Sequence, residues 1–252
     1  MPCVHYKRKA MLLAPCCNEF FDCRFCHDKV RFEDEKDVKR CHVMDRHLVK
    51  TVRCVLCSLK QEAGQVCKGC GVVLGNYWCS ICVFLDDEDK GQFHCDKCGI
   101  CRVGGAAAHV HCDKCGICVK AAAFESHACL ANAARNDCTV CLESLHQSRD
   151  PIQFLRCGHS LHSNCMTEFL KGGQHVCPLC KKSVLNEEFQ QLLIQDLDQQ
   201  IEMAPMPEEY RDKQVQIQCN DCLEKGRAPF HIFGLKCDDC GSYNTTKIGD
   251  NE

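Results

Sequence analysis

The chain has 252 residues, a formal net charge of −3 and a pI near 6.5, which argues against a nucleic-acid binder with a dense basic face. Its 29 cysteines and 13 histidines far exceed ordinary usage. They interrupt every apolar run, which argues against one large core and for several small metal-held modules.

Disulfides are the rival use of cysteine and need an oxidising compartment. The cysteine count is odd and histidine recurs at ligand spacing. The apolar run Met11 to Ala14 near the start is too short for a signal peptide or a membrane span. Zinc in a reducing compartment is therefore the expectation. Zinc binding deprotonates thiols, so the metal-loaded chain is more acidic still.

In residues 1–73 the candidate ligands are Cys3 and His5, Cys16 and Cys17, Cys23, Cys26 and His27, His42, then Cys54-x2-Cys57 and Cys67-x2-Cys70. A tight turn brings both thiols of a Cys-x2-Cys to one metal, so each such pair is half of a tetrahedral site. On spacing alone, Cys54, Cys57, Cys67 and Cys70 form one site. The runs Cys3-x-His5-Tyr6 and Cys26-His27-Asp28 closely resemble a CHY-type zinc finger, a family that binds three zincs. The resemblance implies a site of Cys3, His5, Cys23 and Cys26, a second of Cys16, Cys17, His27 and His42, and the four-cysteine site as the third. Cys41 departs from the family pattern. Either Cys41 or its neighbour His42 stands within reach, and the register of the following Asp45-Arg46 and Val49-Lys50 favours His42, leaving Cys41 a free thiol. His47 is read as a solvated or capping residue.

Residues 74–133 repeat themselves. His94-Cys-Asp-Lys-Cys-Gly-Ile-Cys101 recurs as His111-Cys-Asp-Lys-Cys-Gly-Ile-Cys118 at a period of 17 residues, the mark of stacked copies of one small unit. Each copy offers four ligands (His94, Cys95, Cys98 and Cys101, then His111, Cys112, Cys115 and Cys118) that cannot close comfortably on one metal, so neighbouring copies interleave. With Cys79 and Cys82 before and His127 and Cys129 after, twelve ligands serve three zincs. The pattern resembles a CTCHY-type finger. One interleave that fits is Cys79/Cys82/Cys95/Cys98, His94/Cys101/Cys112/Cys115 and His111/Cys118/His127/Cys129. The knuckle positions Gly99 and Gly116 suit positive φ, His109 is left over, and 104–108 reads as a flexible tip. Trp78, beside Tyr77, is expected to cap a small core rather than to anchor a partner.

Residues 134–182 carry Cys138-x2-Cys141-x15-Cys157-x-His159-x2-His162-x2-Cys165-x11-Cys177-x2-Cys180. Four ligand pairs in the order CC-CH-HC-CC match the spacing of a RING-H2 finger. In that family the first and third pairs share one zinc and the second and fourth the other. That implies Cys138, Cys141, His162 and Cys165, then Cys157, His159, Cys177 and Cys180. A short helix is expected over 166–170, stopped by Gly172-Gly173. RING fingers hold a ubiquitin-conjugating enzyme (E2) in an apolar groove between the zinc loops. The matching positions are Val140, Phe169 and Pro178, all apolar, with Lys181 where many RINGs place a cation that pins ubiquitin. As a point charge, Lys181 is expected to pin less firmly than arginine's fork. Each zinc has four protein ligands and no open position, so metal-assisted hydrolysis is not expected. Cysteine-nucleophile ligation needs a spare thiol, and only Cys41, in another module, is left.

In residues 183–210, Asn186 is expected to cap a helix with Glu187 and Glu188 in its first turn. Its apolar positions Phe189, Leu192, Leu193, Leu197 and Ile201 have helical spacing, and Pro205 and Pro207 end it. The stripe is expected to pack back on the RING in preference to pairing with another chain. Residues 211–252 hold Cys219-x2-Cys222 and Cys237-x2-Cys240 with short apolar segments at 215–217 and 230–233, a zinc ribbon on one metal.

The order CHY, CTCHY, RING-H2 and ribbon closely resembles the RING finger and CHY zinc finger domain-containing E3 ubiquitin ligases. The expected fold is a string of small zinc-stabilised modules with little regular secondary structure: a CHY finger, an interleaved CTCHY spiral, a cross-brace RING-H2 and a C-terminal ribbon. The ligands assigned comprise 28 cysteines and eight histidines, enough for nine structural zincs at four each. The resemblance implies partners in an E2, ubiquitin and protein substrates recruited by the N-terminal fingers and the ribbon. It implies nucleus and cytoplasm as locations and includes homo-oligomers; the short apolar run argues against a membrane span, and the acidic charge argues against nucleic acid as a partner. The alternative is a non-enzymatic zinc scaffold that binds proteins.

Overall fold

The computed structural model describes residues 3–250 and gathers them into two compact units. One is built from residues up to His111 together with Cys118–Phe124, the other from Cys112–Ile117 together with Glu125 onward. Among the described residues no helix is long and apolar enough to cross a membrane.

The first unit opens with a four-stranded antiparallel sheet in the order β2-β1-β3-β4, from β1 (Ala10–Leu13), β2 (Phe20–Phe21), β3 (Thr51–Cys54) and β4 (Lys60–Glu62). Ala10 and Leu12 face inward on β1, as do Val52 and Cys54 on β3, the period-two alternation of a half-buried sheet. Cys23 caps helix α1 (Arg24–Asp28), its sulfur accepting from the Cys26 N–H. Hairpin β5/β6 (Tyr77–Cys79, Phe84–Asp86) follows. Its Leu85, with Leu74 and Val83, completes one core with Ala10, Leu12, Ala14, Met44, Val49 and Val52, against which Trp78 packs partly buried. Two modules that read as separate in sequence thus share a core, and Trp78 belongs to it. A polar clasp reinforces the join: the Lys7 N–H donates to buried Asp86 Oδ1 at 3.4 Å and Lys9 pairs with Asp87 at 2.9 Å, while Asp86 also accepts from Lys90 Nζ at 2.9 Å and Gln92 Nε2 at 3.3 Å within its own module. Hairpin β7/β8 (Phe93–Cys95, Ile100–Arg102) is the first copy of the repeat, and strands β9 (His109–Cys112) and β10 (Ile117–Lys120) belong to the second. Residues 104–108, expected as a loose tip, close with a 3₁₀ turn at Ala106–Ala108.

The second unit is centred on hairpin β11/β12 (Ile152–Phe154, Ser160–His162) and helix α2 (Ser163–Lys171). The helix begins three residues earlier than its apolar run suggested and ends on Gly172. Leu145, Leu155, Leu161 and Met166 form the core with Cys138 and Cys177. The segment carrying Cys129 is bolted to this module. Leu130 N–H donates to the Gly158 carbonyl at 3.2 Å, and Ser160 Oγ donates to the Ala133 carbonyl at 2.9 Å. Gly158 has φ +87, and a Cβ there would lie 3.0 Å from Leu130 Cγ, so the approach requires glycine.

Asn186 caps helix α3 (Glu187–Met203) by accepting from the Phe189 N–H at 2.9 Å. The helix's apolar stripe, expected to pack back on the RING, contributes no residue to the RING's core cluster. Leu193, Leu197 and Ile201 are half-buried, while Phe189 and Leu192 are 59% and 54% exposed. Its polar anchors run mainly to the ribbon, where Asp198 accepts from Lys236 Nζ and Tyr243 Oη at 2.6 Å each. The ribbon is a three-stranded antiparallel sheet in the order β14-β13-β15, from β13 (Gln214–Cys219), β14 (Lys225–Pro229) and β15 (Thr245–Asp250). Val215 and Ile217 are buried. The second apolar segment is no strand: it leaves Ile232 69% and Phe233 45% exposed.

Candidate metal centres and the apolar face beside them

All 29 cysteines are free thiols, and they gather. The ligand atoms of Cys3, His5, Cys23 and Cys26 lie within 4.8 Å of one another, as do those of Cys16, Cys17, His27 and His42, and those of Cys54, Cys57, Cys67 and Cys70. These are the three groups expected of the first 73 residues. His42 takes the place in the second group. Cys41 instead points its thiol at the carbonyls of Asp37 and Glu35, 3.6 and 3.7 Å away.

The second group shows how the fold prepares a histidine to bind metal. His27 is fully buried, with Nε2 3.2 Å from Cys16 Sγ and Nδ1 donating to Asp28 Oδ1 at 2.8 Å. That carboxylate oxygen also accepts from the Met44 N–H at 2.8 Å. His42 Nδ1 donates to the Arg40 carbonyl at 2.6 Å, and its buried Nε2 has no hydrogen-bond partner. In both rings the outer nitrogen is held as the donor, which leaves the inner nitrogen a lone pair facing the thiols. This is how carboxylates and carbonyls orient zinc-binding histidines.

In the repeat the structure corrects the expected interleave. The groups are Cys79, Cys82, His94 and Cys101, then Cys95, Cys98, His111 and Cys118. The third comprises Cys112, 3.9 Å from Cys129, and Cys115, 3.9 Å from His127 Nε2. Strand register explains the change. His94 pairs directly with Cys101 across β7/β8, so both side chains stand on one face and reach back to Cys79 and Cys82. Cys95, one residue on, points to the opposite face with Cys98 and reaches forward. His109 joins none of these groups; its Nδ1 bonds the Gly105 carbonyl at 2.9 Å.

In the third module Cys141 Sγ lies 3.3 Å and Cys165 Sγ 3.9 Å from His162 Nδ1, while Cys157 and Cys177 lie 3.4 and 3.5 Å from His159 Nδ1. Cys138 neighbours Cys141, and Cys180 neighbours Cys157 and Cys177. The ligand pairs are therefore crossed, first with third and second with fourth. In the ribbon, Cys219 meets Cys240 at 3.6 Å and Cys222 meets Cys237 at 3.7 Å.

The protonation of these thiols tests the fit to a dication. In the first repeat group, a hydrogen bond from Cys101 above all holds the Cys82 thiol down to about 5, while the same contact and burial push Cys101 up. Burial followed by the neighbouring Cys141 thiol pushes Cys165 up to about 12. A thiol cluster without a cation thus favours one thiolate at the expense of its neighbours, and two or more thiolates this close need a positive charge between them. Thiolate and imidazole sets of four are the donor set of structural zinc, and the residues fit it.

One backbone feature escaped the sequence. The residue after most Cys-x2-Cys pairs is left-handed even where it is not glycine: Ser58 (φ 60), Val83 (46), Leu142 (62), Lys181 (64) and Leu223 (70); the exceptions are Cys23-x2-Cys26, which lies at the start of α1, and Cys98-x2-Cys101 and Cys115-x2-Cys118, which end in strands β8 and β10. The left-handed residue's N–H bonds back to the carbonyl of the first cysteine at Ser58, Leu142, Lys181 and Leu223, at 2.7–3.1 Å. The turn that closes the thiols on a common centre imposes the conformation, at about 1–2 kcal/mol for a side chain with a Cβ.

Beside the crossed centres lie the residues expected to form a groove. Val140 is 43% exposed, Phe169 packs partly buried on the module's core, and Pro178 is half-buried next to Leu179, 55% exposed. Lys181 is exposed and directly follows the last ligand.

Comparison with known proteins agrees with this geometry. Family models match as CHY zinc finger over residues 3–77, Ring finger domain over 136–181 and Zinc-ribbon over 190–246. The chain is 40% identical over 247 residues to the E3 ubiquitin-protein ligase SRFP1 of Oryza sativa subsp. japonica, covering 98% of this chain and 91% of that protein. It is 41% identical over 244 residues to the E3 ubiquitin-protein ligase RZFP34 of Arabidopsis thaliana, covering 96% and 83%. The chain belongs to the family of E3 ubiquitin ligases with CHY and RING zinc fingers. The ribbon match begins inside α3, in keeping with the anchoring of that helix to the ribbon by Asp198.

Proposed function

We propose that this RING-type E3 ubiquitin ligase seats a ubiquitin-loaded E2 on the face formed by Val140, Phe169 and Pro178, and steadies the ubiquitin with Lys181. The crossed ligand pairs support the reading most, since they tie the loop that carries Val140, the helix α2 that carries Phe169 and the loop that carries Pro178 into one module. No thiol of this chain takes ubiquitin. The substrate lysine amine attacks the carbonyl of the E2 thioester, the carbon–sulfur bond breaks, and the E2 thiol leaves as an isopeptide forms. The ligase raises the fraction of E2–ubiquitin held in near-attack geometry.

The zincs are structural in this reading, nine in number, held by the 36 cysteines and histidines assigned from sequence. Residues 74–133 are a CTCHY-type finger, and the N-terminal fingers and the ribbon recruit protein substrates in nucleus and cytoplasm. The exposed Ile232 and Phe233 of the ribbon support a recruiting role there, since large apolar side chains left in water mark contact surfaces. The test is discharge of ubiquitin from a panel of loaded E2 enzymes to free lysine. Wild-type protein accelerates discharge from at least one. Discharge unchanged by Val140→Asp and Phe169→Asp would move the E2 to another surface.

A further inference from the structure

The ribbon reaches the RING at the turn that ends the last zinc knuckle. Asn244, just before β15, donates one amide N–H to the Lys181 carbonyl at 2.8 Å and the other to Asp221 Oδ1 at 2.9 Å. Its own oxygen accepts from Asn220 Nδ2 at 3.1 Å. The amide cannot be flipped, because its oxygen would then face a carbonyl and a carboxylate. Asp221 Oδ1 also accepts from the Ser183 N–H at 2.7 Å, and Oδ2 from Ser242 Oγ at 2.6 Å and Gln190 Nε2 at 3.3 Å. A network in which each member is satisfied holds its parts rigidly.

What it holds is the backbone on both sides of Lys182. Lys181 sits in the left-handed region at φ 64, where a residue with a Cβ persists only if its surroundings fix it. The knuckle's own bond, Lys181 N–H to the Cys177 carbonyl at 2.9 Å, fixes one side of that residue. The ribbon fixes the other. The Lys181 ammonium itself stays exposed.

We propose that Asn244 and Asp221 are positioning residues of the ligase: the C-terminal ribbon clamps the exit of the RING and aims Lys181 at the ubiquitin carried by the E2. The proposal rests on the reading that Lys181 contacts ubiquitin. The ribbon then has a part in transfer besides any part in recruiting substrate, and the RING's ubiquitin-facing edge is complete only with the ribbon in place. A long exposed side chain on a left-handed residue sweeps a wide arc if its backbone relaxes. The clamp narrows that arc, so the cation loses less freedom when it meets ubiquitin.

The test uses the full chain with zinc content checked, and measures single-turnover discharge of loaded E2 and, separately, binding of unloaded E2. Variants are Asn244→Ala, Lys181→Ala and the double. Lys181→Ala is expected to slow discharge several-fold and Asn244→Ala by a somewhat smaller factor, both in maximal rate and without change in affinity for unloaded E2. The double variant is expected to be no slower than Lys181→Ala alone, because the amide acts through the lysine. Normal discharge by Lys181→Ala overturns the assignment of that residue and the positioning role with it. Slow discharge by Lys181→Ala with normal discharge by Asn244→Ala overturns the clamp alone. Multiplying effects in the double variant, or weakened binding of unloaded E2 by Asn244→Ala, would show the amide supporting the whole RING rather than the lysine.

Discussion

Replacing Asp28 by alanine should selectively weaken one zinc site. One oxygen of Asp28 accepts from both His27 Nδ1 and the Met44 N–H, each at 2.8 Å, and both partners are buried. Alanine leaves two buried donors without an acceptor, at about 1–3 kcal/mol each. Most of the histidine's share should appear as lost metal affinity, because the carboxylate fixes the ring's tautomer and orientation. Such partners are worth about 10- to 100-fold in affinity, or about 1.4–2.8 kcal/mol. Asparagine keeps the acceptor but loses the charge and should fall between. Titration with a chelator, followed by mass spectrometry without denaturant, counts zincs leaving one by one. One zinc should leave about 10- to 100-fold earlier in Asp28→Ala, while the Cys54/Cys57/Cys67/Cys70 site releases at its normal point. An alanine variant that releases all its zincs like the wild type would refute the claim that this carboxylate prepares His27 for metal.

Other outcomes follow from the same geometry. His159→Ala removes the donor that stands between Cys157 and Cys177 and should abolish discharge with loss of one zinc; discharge at the wild-type rate would show that the second RING centre is dispensable. Lys181→Arg should quicken discharge by up to about 5-fold, the scale of an exposed charge contact, and a slower variant would contradict a pinning role. Leu223→Gly relieves a left-handed residue that is 55% exposed and should raise the melting point by a stabilisation of up to about 1 kcal/mol, whereas Leu223→Ala should not; equal effects would deny the strain. Thiols such as Cys165, pushed up to about 12 by burial and then by Cys141, bear protons at neutral pH until metal displaces them. Zinc affinity should therefore fall as pH falls, by up to about tenfold per unit for each proton displaced. An affinity flat between pH 8 and 6 would mean that the thiols do not ionise on binding.

Much of this architecture is legible in the chain because metal ligands obey spacing rules that do not depend on neighbours. The four-cysteine site of the first finger and the Asn186 cap follow from local sequence, while the other groupings of that finger and the crossing of pairs in the RING are what the resemblance to CHY and RING-H2 fingers implies. The grouping in the repeat does not, because spacing cannot say which face of a hairpin a ligand occupies. The register of His94 against Cys101 decides that, and it exists only once β7 and β8 pair. The shared core of Leu74, Val83 and Leu85 with the first sheet was likewise hidden, since the short apolar runs Val72-Val73-Leu74 and Val83-Phe84-Leu85 carry no sign of which module they pack against. The Asn244–Asp221 clamp joins residues some 40 to 60 positions from the turn they hold, and no local signal announces it. The left-handed residues that close most of the knuckles could have been found by asking what a Cys-x2-Cys turn outside a helix or strand needs, rather than by looking for glycine.

The central claim is that the crossed cysteine and histidine pairs are zinc-bound and present a face that brings a loaded E2 to reaction. The most direct measurement is single-turnover discharge of E2-bound ubiquitin to free lysine by the purified, zinc-loaded full chain, with Cys141→Ser as its partner. The account predicts clear acceleration by the wild type with at least one E2 and none by Cys141→Ser. A zinc-loaded wild type that leaves every loaded E2 at its uncatalysed rate would contradict it.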